Sequence, residues 1–376
     1  MERLMVRPRP DWQKRFEELG FTFHSMDDLY WREGVCYRFS CEEIDCLEDV
    51  TNELNVMCLQ AVEYVIEKDL FGRLRIPEKG AELVRSSWNK QDLSIYGRFD
   101  LCYDGRSEPK LLEFNADTPT SLYESSVAQW VWLEENWPNS GRDQFNSIHE
   151  RLLDAFTAVK QRMPLISTMH FTCVKDNEED LVTTEYLRDV AIQAGISTKH
   201  IFIEDIGYAD GSFWDLEDEK IAFLFKLYPW EWLLAEEFGQ YLTDEIAIFF
   251  EPAWKMVLSN KGILPILWEM FPGHKNLLPA FFEEGRLNGP YVKKPLYSRE
   301  GANITLVLEN GSMATNGSYG SEGHVYQQAH LLPDFDGYYA VIGSWVVNGV
   351  ACGIGIREDV SPITKNTSAF VPHYFE

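Results

Sequence analysis

No stretch of about 18 consecutive apolar residues occurs in the 376-residue chain, so the sequence offers no bilayer-spanning helix. Basic residues are scarce. Lys and Arg total 34 against 60 Asp and Glu, a formal net charge of −26. That balance argues against a nucleic-acid protein, which needs a basic stripe. It suits an acidic soluble protein, and it is compatible with a cationic substrate such as a polyamine. Met1-Glu2-Arg3-Leu4 runs into a Pro/Arg segment without an apolar stretch, so no signal peptide is expected. The seven cysteines are odd in number and include no C-x-x-C pair, which reads as reduced thiols in the cytoplasm. Neither G-x-G-x-x-G nor G-x-x-x-x-G-K-[ST] is present, so no dinucleotide fingerprint and no Walker A loop is expected. Internal repeats and low-complexity linkers are also missing.

Aromatic residues are plentiful, with 12 Trp and 23 Phe in a chain that is 45% hydrophobic. Disordered chains lack both features, so this one folds, and its length allows two or three lobes. Ser40-Cys41-Glu42-Glu43 is a capping box. Behind it Ile44, Leu47, Val50, Leu54, Met57, Ala61 and Val65 recur at helical steps, which predicts one long amphipathic helix. Between Ser167 and Trp254 the period alternates. Strands are expected at Thr168–Val174, Lys199–Asp205, Ile221–Leu227 and Ile246–Phe250, with a helix at Asp180–Gly195 and a Trp/Leu/Phe-rich helix after Leu227. This β-α-β series implies a small parallel-sheet lobe. Beyond Tyr291 the pattern turns to strands. Asn348-Gly349 between Tyr339–Val347 and Val350–Ile356 signals a hairpin.

The most informative segment is another hairpin, Ser94–Tyr103 and Lys110–Ala116, joined by Asp104–Pro109. Side chains alternate faces along a strand. Pairing Tyr103 with Lys110 sets Asp100 opposite Glu113 and Arg98 opposite Asn115, all on one face. Opposed carboxylates destabilise a sheet unless neutralised. A Mg²⁺ ion does this, since it takes one or two carboxylates together with substrate phosphates, and Asn115 adds an amide oxygen. The plainer alternative is a solvated acidic face with Arg98 as its salt-bridge partner. Asp117-Thr118-Pro119-Thr120-Ser121 leaves this hairpin as a polar turn.

Further on, Lys293-Lys294-Pro295 precedes the glycine-containing loop Tyr297–Asn303. Such a loop can close over polyphosphate, with backbone N–H groups and a lysine as donors. Gln327 and Gln328 fall on a short strand. Arg357 leaves an otherwise apolar strand at its tip, where it can serve a developing phosphoryl charge.

Together these segments resemble the synthetase domain of the glutathionylspermidine synthase family, an ATP-grasp family. The resemblance is carried by Tyr96–Asp100, Leu112–Thr118, Ser259-Asn260-Lys261, Lys294–Asn303, Tyr326-Gln327-Gln328 and Gly353–Glu358. It runs over nearly the whole chain. It implies a mixed α/β, permuted ATP-grasp fold in which the metal carboxylates precede the ATP lysines, with the parallel-sheet lobe inserted. Residues 1–165 would hold the helical part and the acidic hairpin, 166–254 the β-α-β substrate lobe, and 255–376 the lysines, lid and C-terminal core. The implied cofactors are ATP and two Mg²⁺ ions on Asp100, Glu113 and Asn115. Arg98 would contact the transferred phosphate and the acid substrate. Lys261 and Lys294 would hold ATP phosphates, with Lys255 as a rival to Lys261. Glu300 and Gly301 would belong to the lid, Gln327 and Gln328 to the adenine end, and Arg357 would stabilise the phosphorylated species. Thr118, Thr120 and Ser121 would line the acid pocket.

The implied activity is an ATP- and Mg-dependent ligase joining a carboxylic acid or peptide carboxylate to an amine, for which a polyamine is one candidate, through an acyl phosphate. The chain shows no leading amidase constellation and looks like the stand-alone acid–amine ligases. A nucleotide-binding scaffold without activity and a kinase without ligation are the competing expectations. No nucleic-acid or membrane partner is expected.

Overall fold

The computed structural model describes residues 1–26, 30–243 and 246–376. Its longest helix is Cys41–Glu67. Ser40 accepts from the Glu43 N–H (3.3 Å), and Glu43 returns the bond to the Ser40 N–H (2.9 Å), so two orphan donors of the first turn are satisfied. The apolar stripe from Ile44 to Val65 is buried, as its spacing predicts.

That stripe packs on a central antiparallel sheet. Its strands run in the order Ala369–Val371, Val350–Asp359, Tyr338–Val347, Tyr96–Cys102, Lys110–Asn115, with Asp334–Phe335 paired off the path. Period-two alternation sorts the two faces. Phe99, Leu101, Val346 and Ile354 join Leu47 and Leu54 in one core. Tyr96, Trp345 and Val347 face the other way, joined by Cys352 at a register shift that breaks the alternation of its strand, into a second core with Ile148 and Phe156 from the helix Ile148–Arg162. The turn between the two late strands places Asn348 at φ 48° and Gly349 at φ 79°, the left-handed pair that a two-residue hairpin requires.

The acidic hairpin pairs Asp100 with Glu113, Phe99 with Phe114 and Arg98 with Asn115. Toward its tip the register shifts, to Leu101 with Leu111 and Cys102 with Lys110. Tyr103 is therefore not the partner of Lys110, as the sequence suggested. A bulge leaves Leu112 without a partner on the facing strand, and the inserted residue restores the expected pairing at Asp100 and Glu113.

The middle sheet is parallel throughout, in the order Ile248–Phe250, Phe223–Lys226, Thr168–Cys173, Ser197–Phe202. The crossover helix Glu178–Gln193 is capped by Asn177, which accepts from the Asp180 N–H, and Gly195 follows the cap at φ 79°. Two details differ from expectation. The strand from Ser197 stops at Phe202 because Ile203–Asp205 tightens into a 3₁₀ turn. The aromatic helix is split into Trp230–Ala235 and the 3₁₀ turn Glu237–Tyr241. A third sheet, antiparallel, orders Ala280–Phe281, His324–Gln328, Tyr291–Pro295, Thr305–Leu308 and Gly311–Ala314. The architecture is a mixed α/β fold with several sheets. Among the described residues no helix is long and apolar enough to cross a membrane.

Candidate active site

Where the central and third sheets meet they leave a cavity of about 310 Å³. The acidic hairpin forms one wall. Arg98, Asp100, Glu113 and Asn115 all line it, so the alternation read from sequence does bring these four side chains to one place. Arg98 folds back on Asp100, with Nε 2.8 Å from Oδ1 and Nη2 3.4 Å from Oδ2, and donates to the Thr120 carbonyl at 2.6 Å. Gly343, opposite Asp100 on the next strand, makes room for this: a Cβ there would stand 2.7 Å from Arg98 Cδ. Arg357 reaches the same carboxylate, its Nη2 3.5 Å from Asp100 Oδ2. It does so from within Val350–Asp359, which continues two residues past it, and not from a strand tip.

Glu113 faces the lysines. Lys261 Nζ lies 2.9 Å from its Oε2 and also donates to the Ser298 carbonyl at 2.6 Å. Lys294 Nζ donates to the Leu112 carbonyl and to Gln327 Oε1, both at 2.8 Å. The bulged residue thus supplies an acceptor on the hairpin's outer edge. Gln327 holds Lys294 while its own Nε2 donates to the Leu111 carbonyl at 3.0 Å. Burial pushes Glu113 upward, but Lys261 and Lys294 outweigh it and hold its carboxyl well below the usual range. Burial pushes Lys294 down to about 8, against the pull of Glu113. The rival Lys255 is turned inward, with Nζ on the carbonyls of Tyr96 (2.8 Å) and Ala116 (3.0 Å) and 3.2 Å from Glu251.

Thr118, Thr120, Glu300, Gly301 and Gln328 also line the cavity. Gly301 has φ 69°, and a Cβ there would meet the Thr364 carbonyl oxygen at 2.2 Å, so only glycine fits. Ser121 corrects the sequence reading. It lies outside the lining, buried at φ 64°, with its hydroxyl 3.1 Å from the Tyr30 hydroxyl. The turn that starts the next helical segment points it away from the opening.

Other lining residues were given no role by sequence reasoning. Arg299 spans the opening, with Nη1 donating to Thr118 Oγ1 (2.7 Å) and Nη2 to Glu231 Oε1 (2.5 Å). Asn177 and Asp180 stand at the start of the crossover helix. Burial, helped by Glu179 and Glu300, raises the Asp180 carboxyl to about 7. The signal for this pair was available: ligands in parallel sheets collect at the carboxyl ends of strands, and Asn177 follows Thr168–Cys173 there.

In a chain of net charge −26, Arg98, Lys294, Arg299 and Arg357 thus line one opening, and Lys261, outside the lining itself, stands behind Glu113. Such a cluster of guanidinium and ammonium groups has the chemistry to hold polyphosphate. The donor set for a cation is two carboxylates and an amide. Among the described residues no group of three or more His, Cys, Asp or Glu side chains converges into a ready cage. Two carboxylates with phosphate oxygens supplying further ligands is nevertheless what Mg²⁺ takes.

The chain matches known proteins along its whole length. A Haemophilus influenzae protein named "Putative acid--amine ligase" is 44% identical over 98% of this chain and 97% of its own. Trypanothione synthetase of Crithidia fasciculata is 29% identical over 95% of this chain and 57% of its own. The bifunctional glutathionylspermidine synthetase/amidase of Escherichia coli is 28% identical over 86% of this chain and 56% of its own. The chain therefore spans little more than half the length of those last two relatives. The family model described as glutathionylspermidine synthase preATP-grasp matches residues 3–376, and the chain belongs to that family.

Proposed function

We propose that this chain is an ATP- and Mg²⁺-dependent ligase that joins a carboxylic acid or peptide carboxylate to an amine through an acyl phosphate. The observation that carries the reading is the facing of Glu113 by Lys261 and Lys294 beside Asp100, itself held by Arg98 and Arg357, on one cavity wall. The permuted ATP-grasp assignment and the division at residues 165 and 254 belong to the same proposal. So do the ligase activities printed in the names of the relatives.

The chemistry needs ATP because a carboxylate does not expel oxide when an amine attacks it. The acid's carboxylate oxygen attacks the γ-phosphorus, the bond to the β-phosphate oxygen breaks and ADP leaves. The amine nitrogen then attacks the acyl carbon, the carbon–oxygen bond to phosphate breaks, and inorganic phosphate departs. Arg98 and Arg357 flank the phosphoryl group in flight, and Lys261 and Lys294 hold the nucleotide's phosphates. Asp100, Glu113 and Asn115 would hold Mg²⁺, which when bound neutralises charge on the transferring phosphoryl group. Thr118 and Thr120 accept the acid, and the Gln327-Gln328 segment meets the base of the nucleotide. Glu300 and Gly301 belong to the covering loop. Asp180 stands where it can take the proton that the ammonium must lose before attacking.

Phosphate release from ATP, screened over peptides and short acids against polyamines and amino acids, tests this reading. Release that requires both an acid and an amine, with the amide found by mass spectrometry, is expected. Release indifferent to the amine would mark a kinase instead. Nucleotide binding without any release would mark a scaffold.

A further inference from the structure

A second cavity of about 260 Å³ adjoins the first and shares Val174, Tyr228 and Trp232 with it. Its interior is walled by Ile203, Ile206, Phe213, Leu224, Leu242 and Phe249, which present no charged group. Leu233 and Phe238 extend the apolar wall, and two carboxylates, Glu204 and Glu236, both on exposed residues, complete the described lining. Each is tied in place, Glu236 by the Tyr228 hydroxyl and Glu204 by the Lys175 N–H at 3.1 Å. An apolar chamber with a negative rim and a common wall with the reaction cavity is a compartment for part of a substrate.

We propose that the second cavity houses the side chain of the amine substrate, and that this amine carries a single cationic group on an aromatic or branched aliphatic body. The proposal rests on the ligase reading and narrows its amine. Size allows it, since an apolar cavity of about 150 Å³ already holds benzene. Charge selects the amine over the acid: a second carboxylate at the rim would meet Glu204 and Glu236, whereas an ammonium is attracted by them. The same walls select against a linear polyamine. Its cations recur every three or four carbons, and one of them would be buried against Phe213 and Leu224 with no partner. A body of ring or branched carbons fills the chamber and leaves its one charge at the mouth.

Calorimetric titration of the full chain, with ADP and Mg²⁺ present, tests this with ethylamine, propylamine, 3-methylbutylamine, 2-phenylethylamine and spermidine. Affinity is expected to rise about fourfold for each methylene added inside the chamber. The phenyl compound should bind about tenfold or more above spermidine, and 3-methylbutanol, which lacks the charge, about tenfold or more below 3-methylbutylamine. Leu233→Trp, which fills the chamber, should return the series to the level of ethylamine and leave ADP affinity unchanged. Ile206→Trp is the second filling variant, and should both fail to fold, the wild-type series decides. Spermidine binding as tightly as 2-phenylethylamine, or an undiminished series in a folded filling variant, overturns the proposal. Failure of the ligase reading is seen separately, as absent ADP binding or absent phosphate release.

Discussion

Lys226 and Asp117 meet where neither side chain has any solvent exposure, with Nζ 2.7 Å from Oδ1. Lys226 also donates to the Tyr228 carbonyl at 3.0 Å, and Asp117 accepts from the Trp230 N–H at 2.9 Å. The pair fastens the end of a parallel strand in the middle lobe to the exit of the acidic hairpin. Removing one member of a buried pair strands the other, at a cost of about 3–5 kcal/mol. Lys226→Met is therefore expected to lower the urea unfolding free energy by that amount. A loss under about 1 kcal/mol would deny the pair its anchoring role.

Lys255 and Lys261 separate by what their ammonium groups touch. Lys255→Met orphans the carbonyls of Tyr96 and Ala116 and leaves Glu251 buried without its cation, so the protein should lose about 3 kcal/mol or more. Lys261→Met should instead cost about 10²-fold or more in ATP turnover. Unfolding curves and phosphate release on both variants check the contrast, and an inactive but fully stable Lys255→Met would reverse it.

Asp100→Asn and Glu113→Gln keep shape and remove charge from the proposed metal face. Each should lower ATP turnover by about 10²–10³-fold with the circular dichroism spectrum retained. Mg²⁺-dependent turnover near the wild-type rate in both variants would remove these residues from the chemistry.

Glu124 gives the protein a pH-dependent stability. Its side chain is fully buried, accepts from the Tyr30 hydroxyl at 2.5 Å and has its second oxygen unpartnered. Burial raises the carboxyl to about 8 from 4.5, with Glu179 adding and Tyr30 and Arg98 opposing. Between those values the folded chain keeps a proton that the unfolded chain has released. Stability therefore falls as pH rises across that window and levels off above it. Glu124→Gln is expected to remove this slope, so that its unfolding free energy gains on the wild type from pH 5 toward pH 8. Parallel curves for the two proteins would show Glu124 to be ionised throughout.

Local signals carried far in this chain. The capping box, the helical stripe behind it and the Asn-Gly turn act between near neighbours, and each is found where the residues place it. The facing of Asp100 and Glu113 was legible from alternation, but the assumed register, Tyr103 with Lys110, reaches it only because the bulge at Leu112 makes up one residue. The bulge at Leu112 was not, since its carbonyl is claimed by Lys294, which is 182 residues away. The bond between Lys226 and Asp117 crosses 109 residues and leaves no periodic trace. Choosing between Lys255 and Lys261 needed the path of the short helical turns between them, which composition does not fix. Ser121 belongs to a turn whose chemistry was readable but whose direction depends on Tyr30, far back in the chain.

The unpaired Leu112 also bears on how this hairpin tolerates a change of length. A one-residue slip in a strand turns every side chain to the opposite side of the sheet. Here the irregularity sits between the pair Asp100–Glu113 and the loop Asp104–Pro109. A residue inserted at that loop can be taken up at the irregularity, before it reaches Asp100 and Glu113. The irregularity thereby uncouples the hairpin's outer end from the orientation of its inner end.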